Sequence, residues 1–144
     1  MNSTTKRILV VDNEPAATRM VRLALERYRV FTVSEVNDPR GALTAARLFK
    51  PDLVLLDIEM PGMDGSDVAR QLRAEDGFQQ TPIIFMTSLV TEEEAAYRIF
   101  AGGSRVLAKP ITMAKLVRCV GELLNTMLVS GGAETVPAET YSLG

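Results

Sequence analysis

Five short apolar runs alternate with segments whose apolar residues recur every three or four positions, and this alternation constrains the chain more than any other feature. The runs are 7–11 (RILVV), 30–36 (VFTVSEV), 53–56 (LVLL), 82–86 (PIIFM) and 105–108 (RVLA). Apart from 30–36, which alternates, they are apolar nearly throughout. A strand of that kind is covered on both faces, as in a parallel sheet sandwiched between helices. The pattern predicts an α/β fold: a (βα)5 three-layer sandwich around a five-stranded parallel sheet.

The intervening segments carry helix signals. Glu14-Pro15 places proline to open a helix, and Ala17, Met20, Val21, Ala24, Leu25 and Tyr28 supply its apolar face. Asp38-Pro39 starts a second helix that runs through 42–49. After the turn formers of MPGMDG, Ser66 is placed to cap a third, ending near Glu75. Thr91 and Glu94 form a capping box for a fourth, which Gly102-Gly103 would stop. Thr112 caps a fifth, whose stripe of Met113, Leu116, Val117, Val120, Leu123, Leu124, Met127 and Leu128 spans four turns. From about Gly131 the periodicity is lost.

Composition narrows the chemistry. With 16 basic and 18 acidic residues, the net charge of −2 does not suit a nucleic-acid binder working through a broad basic field. One cysteine forms no internal disulfide, and Cys119 is expected to pack as a small core hydrophobe. There is no histidine, hence no imidazole base and no His-containing zinc site. No signal peptide or membrane-spanning run is visible, and the expected location is the cytoplasm. There is also no GxGxxG, Walker A run or nucleophile elbow, so an enzyme on this fold lacks its phosphate loop or its base.

In a parallel sheet the C-terminal strand ends share one edge, where ligands bind. Here those ends present Asp12, Asn13 and Glu14, then Asp57, then Thr87 and Ser88, then Lys109-Pro110. Each alone has a structural reading as a cap or a turn. Together they bring two carboxylates, an amide, a hydroxyl and an ammonium to one pocket. Two carboxylates about 6 Å apart repel by roughly 3 kcal/mol at an effective dielectric of about 20. Lysine offsets part of that. Oxygen ligands without histidine or thiolate suit Mg²⁺, and the set as a whole suits a phosphoryl group.

The runs ILVVDNEP, LVLLDIEMPGMDG, PIIFMTS and LAKP resemble the CheY-like receiver domains of bacterial response regulators, over about residues 6–130. The resemblance implies the flavodoxin-like strand order 2-1-3-4-5. It implies a protein of two-component signalling that accepts a phosphoryl group on Asp57 from the phosphohistidine of a sensor histidine kinase or phosphotransfer protein. Such a domain is no enzyme beyond catalysing its own phosphorylation and dephosphorylation. Lys109 would pair with the phosphoryl oxygens. Thr87 would hydrogen-bond one of them and couple it to a loop movement. Mg²⁺ would be held by Asp12, Asn13, Asp57 and the Glu59 backbone carbonyl. Pro110 commonly follows a cis peptide in this family.

Three positions depart from the family. Asn13 stands where a second acid is usual, which implies weaker Mg²⁺ binding. Val106 replaces the aromatic switch residue, so switching would rely on the Thr87 loop and backbone shifts. Ser88 stands where a small residue, often alanine, is usual. A degenerate receiver acting as a phosphorylation-independent interaction module is the alternative reading. The resemblance places output on the face of the fourth helix, fifth strand and fifth helix, which meets partner proteins or a second copy. Tyr97, Arg98, Arg105, Lys115, Arg118 and Glu122 would lie there. The expected organisation is an N-terminal tail (1–5), the receiver (6–130), and a flexible tail or truncated linker (131–144). The chain either docks on another protein or is the receiver portion of a longer parent. No direct contact with nucleic acid or membrane is expected.

Overall fold

The computed structural model describes residues 5–96, 104–126, 128 and 142–143. Strands β1 (Lys6–Val11), β2 (Phe31–Val36), β3 (Leu53–Asp57), β4 (Ile83–Thr87) and β5 (Arg105–Ala108) form one sheet in the order β2-β1-β3-β4-β5. All neighbouring pairs are parallel. The helices are α1 (Pro15–Glu26), α2 (Ala42–Phe49), α3 (Gly65–Arg73), α4 (Glu92–Ala96) and α5 (Met113–Leu124). Tyr97, Arg98 and Gly102-Gly103 lie outside the described residues.

Side chains alternate across a strand with period two, and the core divides accordingly. Ile8, Val10, Leu53, Leu55, Ile84, Met86 and Leu107 pack with Val21 and Leu25 of α1 and Leu116, Val117 and Val120 of α5. Leu9, Val11, Val54, Leu56 and Ile83 pack with Ala42 and Ala46 of α2 and Val68 and Leu72 of α3. Continuous apolar runs are thus required because each strand faces two cores. Full burial of one such side chain contributes about 1.5–3 kcal/mol.

Local signals explain most helix starts. Pro15 opens α1, where its missing N–H costs no hydrogen bond. Asp38 accepts from Arg40 N at 3.0 Å and caps a 3₁₀ turn, Pro39–Gly41, that leads into α2. Thr91 and Glu94 form the expected box at α4, and Thr112 Oγ1 accepts from Lys115 N at 3.1 Å at α5.

Two expectations are corrected. Helix α3 is capped not by Ser66 but by Asp64, in a capping box with Asp67. Gly65 must be the first helical residue because it lies against the end of β3: a Cβ there would sit 2.5 Å from the Asp57 carbonyl oxygen. Helix α5 ends at Leu124 and does not continue through Leu128. Asn125 turns left-handed (φ 52°), and its N–H bonds back to Glu122 O at 3.2 Å. Leu128 then folds over Gly121, where a Cβ would meet its side chain at 3.1 Å. Met127 lies outside the described residues.

A second ladder was not legible in the sequence. β6 (Ile111–Thr112) pairs antiparallel with β7 (Ser142–Leu143). Such pairing uses backbone groups alone and leaves no side-chain period to read.

Candidate functional site

The chain runs from β1 outward to β2 and then back past β1 to β3, so the strand order reverses between β1 and β3. Ligands of doubly wound sheets bind outside the strand ends at such a point. Asp12 follows β1 and Asp57 closes β3 there; Thr87 closes β4 and Lys109 follows β5. Asp57 is buried, with 2% of its surface exposed, and Asp12 has 5%.

Lys109 Nζ donates to Asp57 Oδ1 at 2.7 Å. The lysine is held in place by its backbone, since Lys109 N donates to Thr87 O at 2.8 Å. Burial works to lower the Lys109 pKa, but the Asp57 carboxylate outweighs it and the pKa is raised. The ammonium is therefore a fixed charge at physiological pH. The Lys109–Pro110 peptide is cis.

Asp12 serves as a turn anchor and a site carboxylate together. Its Oδ1 accepts from Glu14 N at 2.9 Å, its N–H donates to Val36 O at 3.0 Å, and its carbonyl accepts from Asn37 Nδ2 at 2.8 Å. Asn37 also donates to Thr18 Oγ1 at 3.0 Å, so a buried threonine of α1 helps to fix this loop. Burial pushes the Asp12 pKa up, and the Asp57 charge adds to that against the Glu14 N–H. The upward shift is chiefly the cost of keeping a charged carboxylate out of water.

Asp12, Asn13, Asp57, Glu59 and Lys109 line one open cleft of about 450 Å³, together with Glu14, Met20 and Pro61. The donors available to a cation are carboxylate, amide and backbone oxygens. Among the described residues no cluster of three or more His, Cys, Asp or Glu side chains is arranged to hold a metal. Mg²⁺ needs no such cage: it keeps several waters and takes one or two carboxylates plus a phosphate. Two buried carboxylates in one cleft, with a lysine held on one of them, fit that demand.

Glu59 was expected to contribute its backbone carbonyl; the structure shows its side chain engaged by the loop after β4. Thr87 Oγ1 donates to Glu59 Oε2, while Ser88 N and Ser88 Oγ each donate to Glu59 Oε1 at 3.0 Å. Burial works to raise the Glu59 pKa, but these hydrogen bonds outweigh it and the net shift is downward. The acid in DIEMP was the available signal, though sequence could not say where it would point.

Val106 does not line the cleft. It packs with Ala95 and Ala108, against Phe85 and Val90. Beside it runs a groove of about 550 Å³ between α4, β5 and α5. Ion pairs cross this face, Arg105 to Glu122 at 2.9 Å and Lys115 to Glu92 at 3.4 Å. Cys119 is buried under it, and burial pushes its thiol pKa up, which suits core packing rather than reactivity.

A family model described as the response regulator receiver domain matches residues 8–121. The chain belongs to this family. As a receiver it is 36% identical over 144 residues to the DNA-binding response regulator MtrA of Mycolicibacterium smegmatis, a match that covers all of this chain and 59% of that protein. It is 34% identical over 132 residues to the probable transcriptional regulatory protein TcrX of Mycobacterium tuberculosis, covering 90% of this chain and 55% of that one. The receiver thus spans somewhat more than half the length of these curated relatives. Among solved structures, chemotaxis protein CheY4 of Vibrio cholerae superposes with a TM-score of 0.71 at 23% identity, covering 83% of this chain and 99% of that one. The signal receiver domain of a signal transduction histidine kinase from Syntrophus aciditrophicus gives 0.70 at 26% identity, with 84% and 91% covered.

The CheY-like fold and the role in two-component signalling expected from the motifs are therefore those of the chain. Receiver domains are generally Mg²⁺-dependent and are not enzymes in the usual sense. No described helix is long and apolar enough to cross a membrane.

Proposed function

We propose that this receiver accepts a phosphoryl group on Asp57 from a phosphohistidine of a sensor kinase or phosphotransfer protein. The observation that carries this reading is the buried Asp57 carboxylate held by Lys109 Nζ at 2.7 Å in the cleft that also contains Asp12. The free Asp57 oxygen attacks phosphorus. The P–N bond breaks as the P–O bond forms, and the electron pair returns to the imidazole of the donor. The receiver has no histidine of its own, which supports a donor on another molecule.

Lys109 holds Asp57 in position and neutralises charge as the phosphoryl group arrives. Asp12, Asn13, Asp57 and the Glu59 carbonyl would hold Mg²⁺, which supplies positive charge to the transferring group. Asp12 is anchored for this by Glu14 N and Asn37. Thr87 donates its hydroxyl to a phosphoryl oxygen, and its movement carries the change toward α4. Output passes by protein contact through the face of α4, β5 and α5, to a partner protein or a second copy, in the cytoplasm. The receiver occupies 6–130, with 131–144 as a tail or linker.

The test is incubation with an acyl phosphate and Mg²⁺, read by intact mass. A gain of one phosphoryl group, abolished by Asp57→Ala, supports the assignment. No gain under conditions that label a control receiver overturns it and leaves a phosphorylation-independent module.

A further inference from the structure

Glu59 stands two residues beyond Asp57, in the loop between β3 and α3, and lines the same cleft. Its carboxylate collects three donors from the opposite loop: the Thr87 hydroxyl, the Ser88 hydroxyl and the Ser88 N–H. A hydroxyl has one proton to give. That of Thr87 is committed to Glu59, while its lone pair accepts from Leu89 N at 3.0 Å. Thr87 therefore reaches a phosphoryl oxygen on Asp57 only by leaving Glu59. A phosphoryl group brings charge of about −1.5 to −2 and three acceptor oxygens to this place. Two anions then compete for one set of donors.

We propose that Glu59 is a latch, a carboxylate that stands in for the phosphoryl group in the resting receiver and holds Thr87 and Ser88 until phosphorylated Asp57 displaces it. This rests on Asp57 being the phosphoacceptor. The bridge joins the loop after β3 to the loop after β4, so it opposes movement of the segment that leads into α4. On phosphorylation its hydrogen bonds exchange. Thr87 turns to the phosphoryl oxygen, and the Glu59 carboxylate, half-exposed already, turns to water. The latch thus sets a resting state by contacts that exist only before the chemistry.

The experiment compares the full chain, Glu59→Ala, and each of these in a Thr87→Ala/Ser88→Ala background, using acetyl phosphate and Mg²⁺. Phosphorylation is followed by intact mass and the Glu59 side-chain carboxyl carbon by NMR. Glu59→Ala is expected to speed phosphorylation by about tenfold, the scale of one charge-assisted hydrogen bond, and to lose that gain in the double-alanine background. In the unsubstituted chain the Glu59 resonance should move on phosphorylation to the position it holds in Thr87→Ala/Ser88→Ala. Relief of simple charge repulsion would give the same gain in both backgrounds. That result, or a Glu59 resonance that does not move, overturns the latch and leaves Asp57 as the acceptor. No mass gain in the unsubstituted chain overturns both readings. If Glu59→Ala does not fold, Glu59→Gln, which fills the same space without the charge, must shift the rate in the same direction.

Discussion

Lys109 Nζ meets Asp57 Oδ1 at 2.7 Å although their strands are not neighbours: β4 lies between β3 and β5. The lysine reaches across the end of β4, anchored by its N–H on Thr87 O. These two contacts tie three strand ends together, and the ammonium offsets charge from two buried carboxylates.

Lys109→Met should lower the unfolding free energy by about 3 kcal/mol in metal-free buffer, the lower end of the cost of orphaning a buried charge. Adding Asp57→Asn to Lys109→Met should restore most of that loss. Urea unfolding of the two single variants and the double variant measures the coupling. Additive losses would show that the lysine is not there to balance Asp57.

Asn13→Asp should tighten Mg²⁺ binding by roughly tenfold, since it places one more negative charge beside a divalent cation. The same change should raise the Asp12 pKa further by repulsion when metal is absent. Calorimetric titration with Mg²⁺ gives the affinity, and an unchanged value would remove position 13 from the ligand set.

Gly65→Ala should cost about 1–3 kcal/mol through overpacking. The added methyl would sit 2.5 Å from Asp57 O and 3.0 Å from Ile58 Cα, both backbone atoms that cannot rotate away. The end of β3 must shift, so the rate of phosphorylation should fall with stability. Thermal unfolding and intact-mass kinetics test the two effects, and a variant as stable as the parent would show that this loop has slack.

Acid should weaken the edge of the fold at Glu35. Its pKa is lowered, chiefly by the hydrogen bond from Arg22, with Thr18 Oγ1 donating at 3.0 Å against the cost of burial. A lowered carboxylate pKa means stability fully present above the unfolded value, about 4.3, and lost as pH falls through the folded one. Glu35→Gln should therefore flatten the stability profile below that value. Unfolding free energies measured across acid pH for both proteins give the comparison, and parallel profiles would contradict the assignment.

Much of the fold was legible because its signals are local. Continuous apolar runs such as 53–56 announce burial on two faces, and the stripe of α5 announces one helical face. The strand-end residues followed from the parallel arrangement alone. Helix ends were less legible. Ser66 and Asp64 are both good caps, and only the close approach of Gly65 to β3 chooses between them. The apolar period of α5 runs on to Leu128, but the chain reverses at Asn125, and Leu128 keeps its burial by folding onto Gly121. Periodicity records which residues are buried and not the path that buries them.

The sequence by itself determined the sheet, its two covered faces and the kinds of group gathered at one edge, because periodicity and strand polarity are properties of the chain taken in order. Tertiary structure decided the pairings: Lys109 on Asp57 across an intervening strand, Asn37 and Thr18 behind Asp12, and the Glu59 carboxylate on Thr87 and Ser88. Each of these joins residues from different loops. Hydrogen bonds depend on distance and angle to within a fraction of an ångström, and only the packing of the loops sets those.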